Sequence, residues 1–164
     1  MWSTRIRPRG CAVVKRSVAL LVYPPGERGR FVVVRRPEHE EELPGVWGLP
    51  AATLRLGEEE IEAVHRVARE KLGIEVRLLG VRAHGVQERS GYRLEMRLWE
   101  AELVGPEPRL PQPSSDPGVT HYTDWRWARA AALEEAARQG SLCARLALET
   151  LGPYSSTGSN MSTE

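Results

Sequence analysis

The chain is poor in cysteine: Cys11 and Cys143 stand far apart among 164 residues, with no companion spacing for zinc. That argues against a disulfide framework and suits a reducing compartment such as the cytoplasm. Net charge is equally scarce, at +1, so no global field steers genomic nucleic acid or an anionic membrane, and any anion binding must be local. Long apolar runs are lacking too. The stretch 17–23 falls far below the about 20 residues that a membrane span requires, and no convincing secretory cleavage site follows the basic start. Lysine and aspartate are nearly missing, with only Lys15 and Lys71 among the cations and Asp116 and Asp124 among the anions. Such a bias fits genome composition or a heat-adapted host and carries no functional claim.

What remains suits one domain, long enough to bury about two thirds of its unfolded surface. A basic lead over 1–11, with Arg5, Arg7 and Arg9, precedes a domain over 12–152, and the serine- and glycine-rich end, 153–164, is expected to be disordered. Valine- and leucine-rich stretches at 12–23 and 31–36 read as strands, the first ended by Pro24, Pro25 and Gly26. The acidic run Glu38 to Glu42 reads as a solvated loop. Over 59–72, Ile61, Val64, Ala68 and Leu72 recur at steps of three and four, the spacing of a helix with one buried stripe, and Gly73 supplies the stop.

Strands are expected next at 76–86 and 92–103, joined by a turn at 89–91. In the second, Leu94, Met96 and Leu98 alternate with Arg93, Glu95 and Arg97, so one face is buried. Five prolines make 105–120 an irregular excursion. A short strand at 125–127 and helices at 130–139 and 141–151 complete the chain. Strands flanking an amphipathic helix, with more helices at the end, imply an α/β fold with a mixed sheet between helix layers.

Leu49, Pro50, Ala51 and Ala52, followed by Gly57, Glu58, Arg66, Glu70, Gly73 and Ile74, carry a resemblance to the Nudix box, G-x5-E-x7-R-E-U-x-E-E-x-G-U with U aliphatic. The approach through 31–36 and the Gly45–Pro50 segment with its Trp47 resembles the entry to that box, and the likeness spans roughly 12–150. It implies an α/β/α sandwich with a mixed β-sheet, and hydrolysis of nucleoside diphosphates linked to another group. Magnesium or manganese would be the cofactor and a small nucleotide-like or diphosphate compound the ligand. In gapless alignment Ala52 takes the first glycine and Ala68 the aliphatic position, while Val67 and Lys71 stand where the family has glutamates.

On a regular helix, positions 67, 70 and 71 share a face turned away from the apolar stripe, and three glutamates there could gather on one cation. Here that face offers Val67, Glu70 and Lys71. An ammonium about 4 Å from a divalent ion repels it by about 2 kcal/mol in water, so tight metal binding is not expected. The resemblance leaves Glu70 as the surviving metal ligand and catalytic carboxylate, with Arg66 to position it and Gly57, Glu58 and Gly73 as frame. Without catalysis, Glu70 is an exposed residue pairing with Arg66 four positions earlier.

Lys71 has three readings: a phosphate-holding cation in place of the metal, a surface lysine tolerated where catalysis is not needed, or an ion-pair partner of Glu70. Arg35, Arg36 and Trp47 are candidate substrate contacts, as is Tyr122, although sheet-edge arginines and packed aromatics explain them equally well. A replacement carboxylate could come from Asp116, Asp124, Glu88 or Glu107, and an acid or base from His84 or His121. Three functions follow: a Nudix-type pyrophosphohydrolase with a weakened or rebuilt metal site, a Nudix fold that binds a nucleotide-like or phosphorylated ligand without turnover as a sensor or interaction module, or a structural or interaction protein with no small ligand. The sequence does not choose between monomer and homodimer.

Overall fold

The computed structural model describes residues 13–39, 43–111 and 121–151. The expected basic lead, the end beyond 153 and most of the proline-rich excursion, Asp116 included, lie outside them. Strands β1 (Val13–Tyr23), β2 (Phe31–Arg35), β3 (Trp47–Gly48) and β4 (Ala51–Thr53) lead into helix α1, Glu60–Arg66, which continues as a π-helical turn over Val67–Lys71. Strands β5 (Glu75–Arg89) and β6 (Tyr92–Val104) form a long hairpin, followed by β7 (Asp124–Ala128). A 3-10 turn, Ala130–Leu133, runs into helix α2 (Glu134–Arg138), and helix α3 occupies 142–151.

Two sheets result. One has the order β4-β1-β6-β5, with β1 parallel to β6 and the other neighbours antiparallel; the second is antiparallel with the order β3-β2-β7. The mixed sheet between helices is the expected architecture.

β1 from Ser17 onward and β2 up to Val34 are buried on both faces, which is why they read as continuous apolar runs rather than as alternation. Ala19, Leu21, Tyr23, Phe31 and Val33 turn to one core, shared with Leu94, Met96 and Leu98 of β6 and with Leu142, Ala144, Leu146 and Ala147 of α3. Val18, Leu20, Val22, Val32 and Val34 turn to the other, with Ala63, Val64, Val67, Ala68 and Leu72 of α1. β6 serves both by strict alternation, since Ala101 and Leu103 fall in the second core.

The stripe of α1 differs from expectation. Ile61 is 51% exposed, whereas Val67 is fully buried and joins Val64, Ala68 and Leu72 against the sheet. Ala63, Val64, Val67 and Ala68 stand at helical steps of three and four and form the buried stripe, and the π-helical turn over Val67–Lys71 ends it at Leu72. Positions 67, 70 and 71 therefore do not share a solvent face.

At the end of α1, Gly73 has φ of +65°, and a β-carbon there would run into the Arg109 carbonyl oxygen. Arg109 N–H in turn donates to the Leu72 carbonyl at 2.9 Å, tying the segment after β6 to the helix end. Glycine is required twice over at this point.

Candidate functional site: a cation-lined cleft

The loop before α1 is built around one ion pair. Gly57 (φ +77°) lets residues 55–58 turn back, so that Arg55 N–H donates to Glu58 Oε1 at 2.8 Å. Arg66 then closes on Glu58 with two bonds, Nε to Oε2 at 2.8 Å and Nη2 to Oε1 at 2.9 Å, and its Nη2 also donates to the Thr53 carbonyl at 2.9 Å. Both side chains are only 11% exposed. The Arg66 guanidinium, by hydrogen bonding, holds the Glu58 carboxyl down at about 2 despite its partial burial. Glu58 raises the Arg66 pKa in return. Glu58 is thus a structural carboxylate that locks β4 to α1. Its contribution is not that of a helix-end charge: Glu59 is the N-cap, its N–H bonded by Glu62 Oε1 at 2.9 Å.

Beside this lock lies a cleft of about 550 Å³, bounded by β1, β3, β4, α1, the turn end of the β5–β6 hairpin and the start of α3. Among the described residues its lining carries six cationic side chains, Lys15, Arg36, Arg55, Arg66, Lys71 and Arg89, and one carboxylate, Glu70. Trp47, Tyr92 and Tyr122 supply aromatic wall. The Arg126 guanidinium sits 4.3 Å from the Trp47 ring centroid and Lys15 Nζ 4.3 Å from that of Tyr92, so each ring is backed by a cation.

Glu70 pairs with Arg55, Oε1 to Nη2 at 3.3 Å, rather than with Arg66, whose guanidinium is engaged by Glu58. Lys71 does not pair with Glu70 at the surface. Half-buried in the cleft wall, its Nζ donates to the Ala51 carbonyl at 3.0 Å and stands 5.3 Å from the Tyr122 ring centroid. Tyr122 is fixed there because its hydroxyl accepts from Ala51 N–H at 3.1 Å.

Of the candidate substrate contacts, Arg36, Trp47, Lys71 and Tyr122 line the cleft. Arg35 does not: it is held by Glu38 at 2.8 Å and by the Gly45 carbonyl at 3.1 Å. Of the candidate replacement carboxylates, the three that are described, Glu88, Glu107 and Asp124, do not line the cleft. Glu88 binds Arg93, Glu107 accepts from Trp127 Nε1, and Asp124 accepts from Trp125 N–H. His84 and His121 do not line the cleft either. Lys15, Arg55, Arg89 and Tyr92 belong to it without having been singled out. Only the parallel β1–β6 register, which sets Val13 beside Tyr92 and Lys15 beside Leu94, brings Lys15 and Tyr92 together, and no local motif announces that. Cys143 also borders the cleft, its thiol pushed up by burial and 3.4 Å from the Ser141 hydroxyl.

Magnesium or manganese needs several oxygen ligands around one point. Glu58 is spent on Arg66, position 67 is a buried valine, position 71 an ammonium, and no group of three His, Cys, Asp or Glu gathers among the described residues. Among the described residues, the donor set does not fit a divalent ion.

A mixed sheet between helices, with an arginine-locked glutamate ahead of a cleft-lining helix, is the architecture that the sequence resemblance implies. The chain belongs to the NUDIX domain family, whose sequence profile matches residues 14–146. Solved structures agree on the fold. The MutT protein from Methanosarcina mazei Go1 superposes with a TM-score of 0.61 at 19% identity, over 76% of this chain and 83% of that one. The E. coli ORF135 protein gives 0.63 at 20% identity, over 88% and 96%. A C. elegans Ap4A hydrolase gives 0.58 at 18% identity, over 89% and 98%. No match was found among curated proteins. No helix among the described residues is long and apolar enough to cross a membrane.

Proposed function

We propose that this Nudix-family protein takes a nucleotide-like, diphosphate-bearing molecule into the cleft and holds its phosphates with side-chain cations, so that cleavage of the pyrophosphate bond is slow or does not occur. One observation carries the reading: among the described residues that line the cleft, six are cationic and one is a carboxylate, with Arg55 and Arg66 ion-paired, in a molecule of net charge +1. Such a local field draws phosphate and disfavours a divalent cation. Trp47 and Tyr92 offer flat apolar faces for a base, and Arg36 a forked donor for phosphate. In this reading the setting is a nucleotide-rich cytoplasm.

The second reading is a pyrophosphohydrolase with a rebuilt metal site. Glu70 favours it, being 55% exposed at the cleft, as does the fold shared with hydrolases. Nucleotide sugars, dinucleotides and nucleoside triphosphates, each with EDTA or with manganese, separate the two when thermal shift and phosphate release are recorded together. Stabilisation in EDTA without release supports binding. Manganese-dependent release that Glu70→Gln abolishes supports the enzyme, and no response to any compound sinks the cleft as a nucleotide site.

A further inference from the structure

We propose that the Lys71 ammonium is the resident cation of this cleft, standing in for a divalent ion and holding a ligand phosphate oxygen directly. The inference rests on the cleft reading above and specifies which group makes the metal unnecessary.

Three pieces of chain fix where that charge sits. Lys71 ends the π-helical turn of α1, Ala51 of β4 gives its carbonyl to Nζ at 3.0 Å, and Tyr122 presents its ring at 5.3 Å. A carbonyl oxygen and an aromatic face are both groups that favour a cation. Tyr122 cannot drift from this arrangement without breaking its own bond to Ala51 N–H. The ammonium is therefore pre-positioned rather than waving in solvent, which lowers the ordering cost of ligand binding.

The surrounding charges point the same way. Arg55 and Arg66 line the same cleft and are tethered by Glu70 and Glu58 respectively, so the wall is ordered before a ligand arrives. Magnesium in a phosphate site neutralises oxygen charge and orients the group; an ammonium at a fixed point supplies the first of these as a compact charge with hydrogen-bond donors. It cannot supply the second in full, nor activate water as a metal does. A cleft with Lys71 in that role binds diphosphate without promoting its cleavage.

The probe is inorganic pyrophosphate, titrated calorimetrically into the wild-type protein, Lys71→Met and Lys71→Arg, in EDTA and again with magnesium. Wild type is expected to bind in EDTA. Lys71→Met should lose about tenfold or more in affinity, as befits a lost charge-assisted bond, with Lys71→Arg falling between. Because the chain has only two lysines, a second readout does not depend on the Lys71 variants folding. Reductive 13C-dimethylation keeps the charge and gives separate Lys15 and Lys71 signals, assigned with Lys15→Arg, and the Lys71 signal should move on adding pyrophosphate in EDTA.

Binding by wild type that appears only with magnesium overturns the proposal. Binding unchanged in Lys71→Met, or a Lys71 signal that stays still at saturation, overturns it while leaving the cleft reading intact. If neither pyrophosphate nor any nucleotide binds, both fall.

Discussion

Glu58 and Arg66 show most plainly what a retained motif residue does when the chemistry around it has changed. Their two-bond pair is nearly enclosed and joins β4 to α1 through Thr53. Removing one partner leaves the other charge poorly solvated, so Glu58→Ala should cost about 2–3 kcal/mol in chemical denaturation, whether or not the protein is an enzyme. The pH dependence follows from the depressed carboxyl. Folded, Glu58 titrates at about 2, and unfolded near the ordinary carboxylate value of about 4.3. Its contribution is complete above the unfolded value and is lost as pH falls toward the folded one. Between about pH 4.5 and about pH 2, wild type should therefore lose more stability than Glu58→Gln does, as read from melting temperatures of the two proteins. Parallel curves across that window would show that Arg66 is not holding the carboxylate.

At the level of elements, α1 decides how the cleft is equipped. Val67 is fully buried between the helix and β1, so a glutamate restored at that position would enter the core beside Val18, Leu20 and Val64. Val67→Glu should destabilise by about 3 kcal/mol or more, or its carboxyl must stay protonated. A variant as stable as wild type would mean that the residue faces the cleft after all. The helix end is equally constrained: Gly73→Ala combines a left-handed backbone with a collision against the Arg109 carbonyl, and should cost about 2–3 kcal/mol. The same denaturation curves measure it.

These elements also show what a single sequence discloses. The strands β1, β2, β5 and β6 and the presence of α1 were legible because burial writes itself as apolar runs and periodic spacing. The short strands β3 and β4 were not, since two or three residues carry no periodicity and pair only because β2 and β1 lie beside them. The buried face of α1 was read with Ile61 inside it and Val67 outside it, whereas Val67 follows Ala63 and Val64 at ordinary helical steps of four and three and is buried with them. The cleft was half legible: Arg36, Trp47 and Lys71 sit in or beside a motif, whereas Lys15, Arg55, Arg89 and Tyr92 arrive through sheet register and the length of a hairpin.

For the whole molecule, the contrast between near-neutral net charge and a cation-rich cleft concentrates the field in one place. Ligand binding should then weaken steadily between about 50 mM and about 500 mM NaCl, as exposed charges are screened, while the melting temperature of the free protein changes little by comparison. Calorimetry at several salt concentrations gives the first quantity and calorimetric melting the second. An affinity indifferent to salt would point to apolar recognition by Trp47 and Tyr92 instead.

In the free cleft Glu70 is paired with Arg55, Glu58 with Arg66, and position 71 is an ammonium, while no group of three possible ligands gathers among the described residues, so tight divalent-metal binding is not expected. Manganese titrated into the protein and followed by electron paramagnetic resonance tests this directly, since only the free aquo ion gives the sharp six-line signal. The signal should grow as in buffer alone until manganese reaches millimolar concentration. A stoichiometric loss of signal at micromolar manganese, reversed by Glu70→Gln, would contradict the account.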